Sequence, residues 1–282
     1  MGSQKITRYV DLGRFLAMLG EWDGSPKGRL FFACPDRLGD PQEGTLGAAD
    51  HRLALTKARA RYGGVARRAV ACWLSREWRD TLLTVGVSCW YLGDTESHAM
   101  WQVFGAGGVA IESTVDKVKE ALGPTVSLTT KLVEYVDYAK RASTGLDPVK
   151  VLSFKRPPYQ HERELRFFMS FSEEDRKLIT NLRGIVHGEN FIHQRSQGEL
   201  GPNGITVPFD CVRAIDRVVL APRAPMWLKN AILHLCVANK IDIEKVDQSK
   251  LDDDPYPEFV AGLNQNRLGC DELALPRDSR DG

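Results

Sequence analysis

The sequence of 282 residues contains no run approaching the roughly 20 apolar residues that a membrane-spanning helix needs. Its opening stretch, MGSQKITRYVDLGRF, lacks the apolar centre of a secretory signal, and Ile6 stands where a myristoylation motif requires Ser or Thr. The six cysteines, Cys34, Cys72, Cys89, Cys211, Cys236 and Cys270, are scattered and form no CxxC pair. That spacing argues against a disulfide framework or a zinc site, and predicts reduced, mostly buried thiols in a cytoplasmic protein. There is also no GxxxxGKS/T loop, no GxGxxG after a strand, no HExxH and no GxSxG. P-loop, dinucleotide-fold, zincin and serine-hydrolase chemistry therefore have no anchor here. Charge of either sign is not in excess, with a formal net charge of +1, so only local clusters can name a partner.

What is present is an ordinary globular composition, 43% hydrophobic and 27% charged. DLGRFLAML spaces Leu12, Phe15, Leu16 and Leu19 for one face of a helix, and STVDKVKEALG carries a cap residue, helical periodicity and a closing glycine. GRLFFACP, LTVGVSCWYL, GVAIEST, KLVEYVDY, GITVPF and IDRVVLAP read as strands. Strands and helices interleave irregularly, which favours α+β over a doubly wound sheet. The expectation is a single domain over residues 1–250, with mixed or antiparallel central sheets flanked by helices. Residues 251–282, acidic and proline-containing, read as a peripheral tail.

The densest chemistry lies in KRPPYQHERELRFFMSF, residues 155–171. A strand over 160–169 puts Glu162, Glu164, Arg166 and Phe168 on one face, and Arg163, Leu165, Phe167 and Met169 on the other. Two carboxylates about 7 Å apart on one face raise the pKa of at least one of them unless a cation intervenes. Arg166 is the cation at hand, and Tyr159, after two prolines, is placed to flank a pocket. Alternatively, the same residues form a solvated ladder of charges. ESHAMWQVFGAGGVAIES places Met100, Trp101 and Phe104 beside Ser97, His98 and Gln102, either as core or as a stacking wall for a planar ligand. RLGDPQEG offers Asp40 and Glu43 in a turn or a binding loop. Lys57, Arg59, Arg61, Arg67 and Arg68 form a basic stretch, either a solvated helix face or a footprint for phosphates.

Four stretches, GRLFFACPDRLGDPQEG, SHAMWQVFGAGGVAIES, LVEYVDY with FKRPPYQHERELRF, and IDRVVLAPRAP, resemble in order the bacterial family named domain of unknown function 2971, to which the AbiGi-like abortive-infection proteins look similar. The family pattern maps onto Asp40-Pro41 with Glu43, onto Met100-Trp101, and onto Lys155, Tyr159, Glu162, Glu164 and Arg166. The chain is also loosely similar to mono-ADP-ribosyltransferases, which place an Arg or His on a first strand, a Ser/Thr or aromatic element on a second, and Glu-x-Glu on a later one. Arg8-Tyr9, the aromatic segment with EST, and Glu162-Arg163-Glu164 follow that order.

This resemblance implies cleavage of NAD and transfer of ADP-ribose to a nucleic-acid or protein acceptor, in phage defence or a toxin system. NAD is then the substrate and no metal is expected. Glu164 would stabilise the oxocarbenium-like state, and Glu162 would orient or deprotonate the acceptor. Trp101 or Tyr9 would stack on nicotinamide, and Arg8 would hold the pyrophosphate or adenosine ribose, with Ser97, Tyr159 and Arg166 completing the cofactor site. Asp40, Glu43, Arg59, Arg61, Arg67 and Arg68 would face the acceptor. Expected partners are that acceptor and an antitoxin or phage protein, with no membrane. Two other readings stand: a non-enzymatic sensor or neutralising module, and a metal-dependent nuclease using Glu162 and Glu164 with Asp40 or Glu112.

Overall fold

The computed structural model describes residues 4–20, 28–62, 78–141, 145–185, 193–195 and 198–253. It is an α+β fold built on a mixed, largely antiparallel sheet of eleven strands, with a separate two-stranded ribbon. In chain order the elements are β1 (Lys5–Asp11), α1 (Leu12–Leu19), β2 (Gly28–Ala33), α2 (Ala48–Tyr62), β3 (Val85–Tyr91), α3 (His98–Phe104), β4 (Gly108–Thr114), α4 (Val115–Leu122), β5 (Leu128–Leu132) and β6 (Glu134–Tyr135). There follow α5 (Pro148–Val151), β7 (Phe154–Lys155), β8 (Glu164–Ser170), α6 (Glu173–Ile185), β9 (His193–Arg195), β10 (Gly198–Gly201), β11 (Gly204–Phe209), α7 (Cys211–Ala214), β12 (Arg217–Leu220), α8 (Met226–Ala238) and β13 (Val246–Gln248). No described helix is long and apolar enough to cross a membrane.

β3 is the junction of the sheet. Along one edge it pairs with β8 from Val85↔Ser170 to Tyr91↔Glu164, and β5 extends that side. Its other edge is shared: β1 meets it at Thr7↔Tyr91 and β2 meets it at Ala33↔Val87. From there one arm runs β1-β4-β12-β13 and the other β2-β11-β10-β9. The main core fills the face that carries Ile6, Val10, Phe32, Trp90, Ile111, Leu165 and Phe167, and α1 and α4 bury Phe15, Leu19, Val115 and Val118 into it.

Local chemistry sets these elements. Asp11 caps α1 by accepting from Arg14 N at 2.8 Å, and Thr114 caps α4 by accepting from Lys117 N at 3.3 Å. Gly123, with φ 75°, ends α4 in the left-handed region. Gly108 lies so close to β1 that an added Cβ would stand 2.0 Å from the Val10 carbonyl oxygen, so only glycine fits there. The tail expected from residue 251 begins with a short 3-10 turn, Lys250–Asp252, and lies outside the described residues from 254 onward.

The expected strand KLVEYVDY is broken. After Val133, whose N donates to Glu164 O, the chain leaves β8 and pairs with β7 instead, through Glu134 N to Ser153 O and Val136 N to Lys155 O. This change of partner brings the Tyr135 hydroxyl to the backbone N of Glu164 at the start of β8 and puts Lys155 opposite Tyr135 in the ribbon.

Candidate active site

Strand alternation gives β8 two chemistries. Leu165, Phe167 and Met169 enter the main core, as the sequence predicts. On the other face Phe168 packs with Val85, Val87 and Leu152, and Glu164 and Arg166 stand beside that cluster. The strand does not include Glu162, which corrects the sequence expectation. Pro157–Glu162 is a 3-10 turn, Arg163 takes the left-handed conformation at φ 38°, and β8 begins at Glu164. The left-handed residue, rather than the strand period, turns both carboxylates to one place.

That place is the ammonium of Lys155. Its Nζ lies 2.6 Å from Glu162 Oε2, 3.2 Å from Glu164 Oε1 and 3.2 Å from Glu43 Oε1. Arg166, fully buried, donates from Nε to Glu164 Oε2 at 2.6 Å and from Nη1 to the Leu152 carbonyl at 2.6 Å. Its Nη2 also meets Glu43 Oε2 at 2.5 Å and the Glu164 carboxylate. Three carboxyl groups thus face two cations in a buried cluster.

The environments of the two glutamates push their acidities apart. Burial, the hydrogen bond that its proton donates to Glu164 and that carboxylate's charge raise Glu162 to about 8, and Lys155 offsets only part of this. Burial also acts on Glu164, but Arg166, the hydrogen bond with Glu162, and Lys155 outweigh it and hold its pKa at about 2. Glu164 touches both cations and Glu162 only one, so the pair's shared proton resides on Glu162. Desolvation of Lys155 is outweighed by Glu164, Glu43 and Glu162, and its pKa is raised.

Asp40 lies at the rim. Arg156 grips it with both ends of its fork, Nε to Oδ2 at 2.9 Å and Nη2 to Oδ1 at 2.6 Å. Although burial pushes Asp40 upward, Arg156 and the Gln42 N–H lower it. The half-buried Tyr159 lays its ring 4.8 Å from Lys155 Nζ and 5.6 Å from the Arg156 guanidinium carbon. Tyr135 Oη accepts from Glu164 N at 3.0 Å, a contact that the sequence alone did not suggest.

On the same face of the sheet, Tyr9, Tyr91, Met100 and Trp101 form an aromatic cluster with Ala110, Val219 and Ala221. Tyr91 is the cross-strand partner of Glu164, so the cluster adjoins the carboxylates. Trp101 is nevertheless packing, not an open stacking wall. It is 2% exposed, lies edge-on to Tyr9 at 4.9 Å, and donates Nε1 to Glu96 at 2.9 Å. Tyr9 is likewise buried, its hydroxyl accepting from Ser97 N at 2.9 Å. Ser97 is the N-cap of α3.

Arg8 does not join this group. Neighbouring residues of β1 point to opposite faces, and Arg8 lies on the main-core side, donating to Ser88 Oγ at 2.7 Å and resting over Trp90. Burial lowers its pKa to about 10. An Arg8 and Glu164 acting on one substrate from one face is therefore corrected. Glu112 is also excluded from a shared metal site with Glu164. It lies three strands away, roughly 14 Å at the spacing of a sheet, and pairs with Lys5 and Arg217. Among the described residues no His, Cys, Asp and Glu group is arranged to hold a metal ion.

On α2, Lys57 and Arg59 are exposed, and Arg61 lies on the same helix. Arg67 and Arg68 fall outside the described residues. Comparison with known protein families, with curated proteins and with solved structures returned no match.

Proposed function

We propose that this protein is an ADP-ribosyltransferase-like enzyme of the domain of unknown function 2971 family, acting on NAD and a nucleic-acid or protein acceptor. The observation that carries the reading is the split pair on one shared lysine, with Glu164 held ionised chiefly by Arg166 and Glu162 raised by burial and by the Glu164 carboxylate. Two carboxyl groups driven apart in acidity are the arrangement that glycosidic-bond chemistry requires. NAD supplies the ADP-ribosyl group, with nicotinamide as the leaving group. The residues that fit it are the Glu164 carboxylate for the ribose, the half-buried Tyr159 ring for the nicotinamide, and the partly exposed Arg156 for the pyrophosphate.

Glu164 provides a fixed negative charge where positive charge develops on the sugar, and Lys155 and Arg166 keep it ionised and oriented. Glu162, with a pKa of about 8, takes the proton of the acceptor hydroxyl or amine as a base matched to neutral pH. Exposed Lys57 and Arg59 on α2 suit an anionic acceptor. A role in phage defence or in a toxin system belongs to the same proposal. The test is NAD turnover with nicotinamide release by the purified chain, in parallel with Glu164→Gln. Turnover lost in the variant with an unchanged circular dichroism spectrum supports the proposal.

A second reading, a non-enzymatic sensor or neutralising module, is favoured by the complete pairing of the cluster, in which every charge meets its opposite. No nicotinamide release from the wild type with any nucleic-acid or protein acceptor selects that reading.

A further inference from the structure

Glu43 reaches the cluster from a loop, not from the sheet. Residues 38–44 leave a 3-10 turn at Pro35–Arg37 and fold back with Glu43 N donating to Asp40 O at 2.9 Å, and Gly44 closes the loop at φ 76°. Gly39, Pro41 and Gln42 are exposed, while Glu43 points inward and is 8% exposed. The loop is held down by Arg156 on Asp40, by Trp78 Nε1 donating to the Gly44 carbonyl at 2.7 Å, and by Glu43 between Lys155 and Arg166 inside.

The inner attachment is a poor fit. Arg166 Nη2 and Glu43 Oε2 are both buried and 2.5 Å apart, yet neither has a hydrogen-bond partner in acceptable alignment. The geometry also marks a place to fill. Glu43 sets Oε1 3.2 Å from Lys155 Nζ and Oε2 2.5 Å from Arg166 Nη2, so one loop carboxylate spans the two cations. A carboxylate that accepts from Asp40 N at Oε1, at 3.4 Å, but faces the arginine with an Oε2 that completes no hydrogen bond is a stand-in.

We propose that Lys155 and Arg166 form a concealed seat for one oxyanion group of a ligand, and that the 38–44 loop occupies it with Glu43 until the Asp40–Arg156 latch opens. The ligand is a phosphate- or carboxylate-bearing molecule, because a lysine ammonium and an arginine fork facing one point bind a tetrahedral or planar oxyanion. The inference rests on the cluster being a ligand site and not on which bond is cleaved there. It places the latch where a ligand can reach it, since the Arg156 side chain is 34% exposed and the Asp40 carboxylate is covered by it.

The experiment is calorimetric titration of the full chain with inorganic phosphate and, separately, with acetate, on wild type, Asp40→Asn, Glu43→Gln and Glu43→Ala. Asp40→Asn is expected to bind the favoured anion about tenfold more tightly than wild type, because the latch no longer opposes opening. Glu43→Gln and Glu43→Ala, lacking the internal anion, are expected to bind at least as tightly as Asp40→Asn. Preference for phosphate over acetate identifies a phosphate-bearing ligand, and the reverse identifies a carboxylate. Equal, non-saturating binding in all four proteins overturns the proposal. Where the Glu43 variants do not fold, Asp40→Asn decides alone, since Asn matches the size of the buried Asp40 side chain and can still accept from Arg156. Anion binding without NAD turnover removes the ADP-ribosyl reading and keeps the seat; NAD turnover without the anion response removes the seat and keeps that reading.

Discussion

Glu162 and Glu164 meet at the same atom, Lys155 Nζ, from a turn and a strand that Arg163 separates. Their roles differ because Arg166 touches only one of them. Activity should therefore separate the two. Glu164→Gln is expected to lower turnover by about a thousandfold or more, since it removes the charge that stabilises the transition state. Glu162→Gln is expected to lower transfer to an acceptor while sparing more of the NAD hydrolysis. In the wild type, transfer should rise with pH and reach half its maximum near pH 8, as Glu162 loses its proton. Rate profiles from pH 6 to 9 check this, and an unchanged profile in Glu162→Gln would assign the titration to another group.

Arg163 adopts φ 38° and ψ 54°, a conformation that costs a non-glycine residue about 1 kcal/mol. Its amide donates to Gln160 O and its carbonyl accepts from Leu92 N, so the backbone is held whatever the side chain. Arg163→Gly is expected to keep the site intact and to raise stability by up to about 1 kcal/mol. Arg163→Val, β-branched, is expected to destabilise by about 2 kcal/mol and to lower turnover by displacing Glu162. Denaturant unfolding of the two variants decides.

The legible part of this site was its composition, and the illegible part its geometry. Strand alternation in ELRFFMS gave the right faces because period 2 survives any neighbour, and Leu165, Phe167 and Met169 do enter the core. Glu162 was misplaced on that strand because a single left-handed arginine carries no sequence signal. Lys155 was visible only as part of a recurring pattern, and its central position depends on β6 leaving β8 for β7, a long-range choice. Trp101 read equally well as core or ligand wall, and burial beneath Tyr9 settles it as core. Ser88, the partner of Arg8, lay hidden in LTVGVSCWYL, where a serine in the middle of an apolar run points to a core-facing polar contact but names no partner.

A second buried ion pair supports the site from behind. Asp50 Oδ2 lies 2.9 Å from Arg141 Nη2, and that guanidinium packs against the rings of Phe154 and Tyr138 at 4.6 and 5.2 Å. Tyr138 in turn donates to the Phe154 carbonyl, one residue before Lys155. Asp50→Ala leaves a buried guanidinium without its carboxylate and is expected to cost about 3 kcal/mol or more. Adding Arg141→Met should recover most of that loss, because the unpaired charge is then gone. A double variant as unstable as Asp50→Ala alone would show that the carboxylate acts through contacts other than Arg141, among them the one with Gly145 N.

Stability should respond to pH on both sides of the ordinary carboxylate range, and in opposite directions. Glu164 is held at about 2 in the fold and near its ordinary value of 4.5 when unfolded, so its contribution is present above 4.5 and is lost as pH falls toward 2. Glu162 is raised from 4.5 to about 8, so the unfolded chain releases this proton first. Its contribution is full below pH 4.5 and declines as pH rises toward 8. Lys155, raised above its ordinary value, adds stability below that value and loses it only in strong alkali. Thermal unfolding from pH 3 to 9 should therefore show an acid limb that Glu164→Gln diminishes and a neutral-to-alkaline decline that Glu162→Gln flattens. A decline between pH 5 and 8 that is identical in wild type and Glu162→Gln would place the shared proton elsewhere in the cluster.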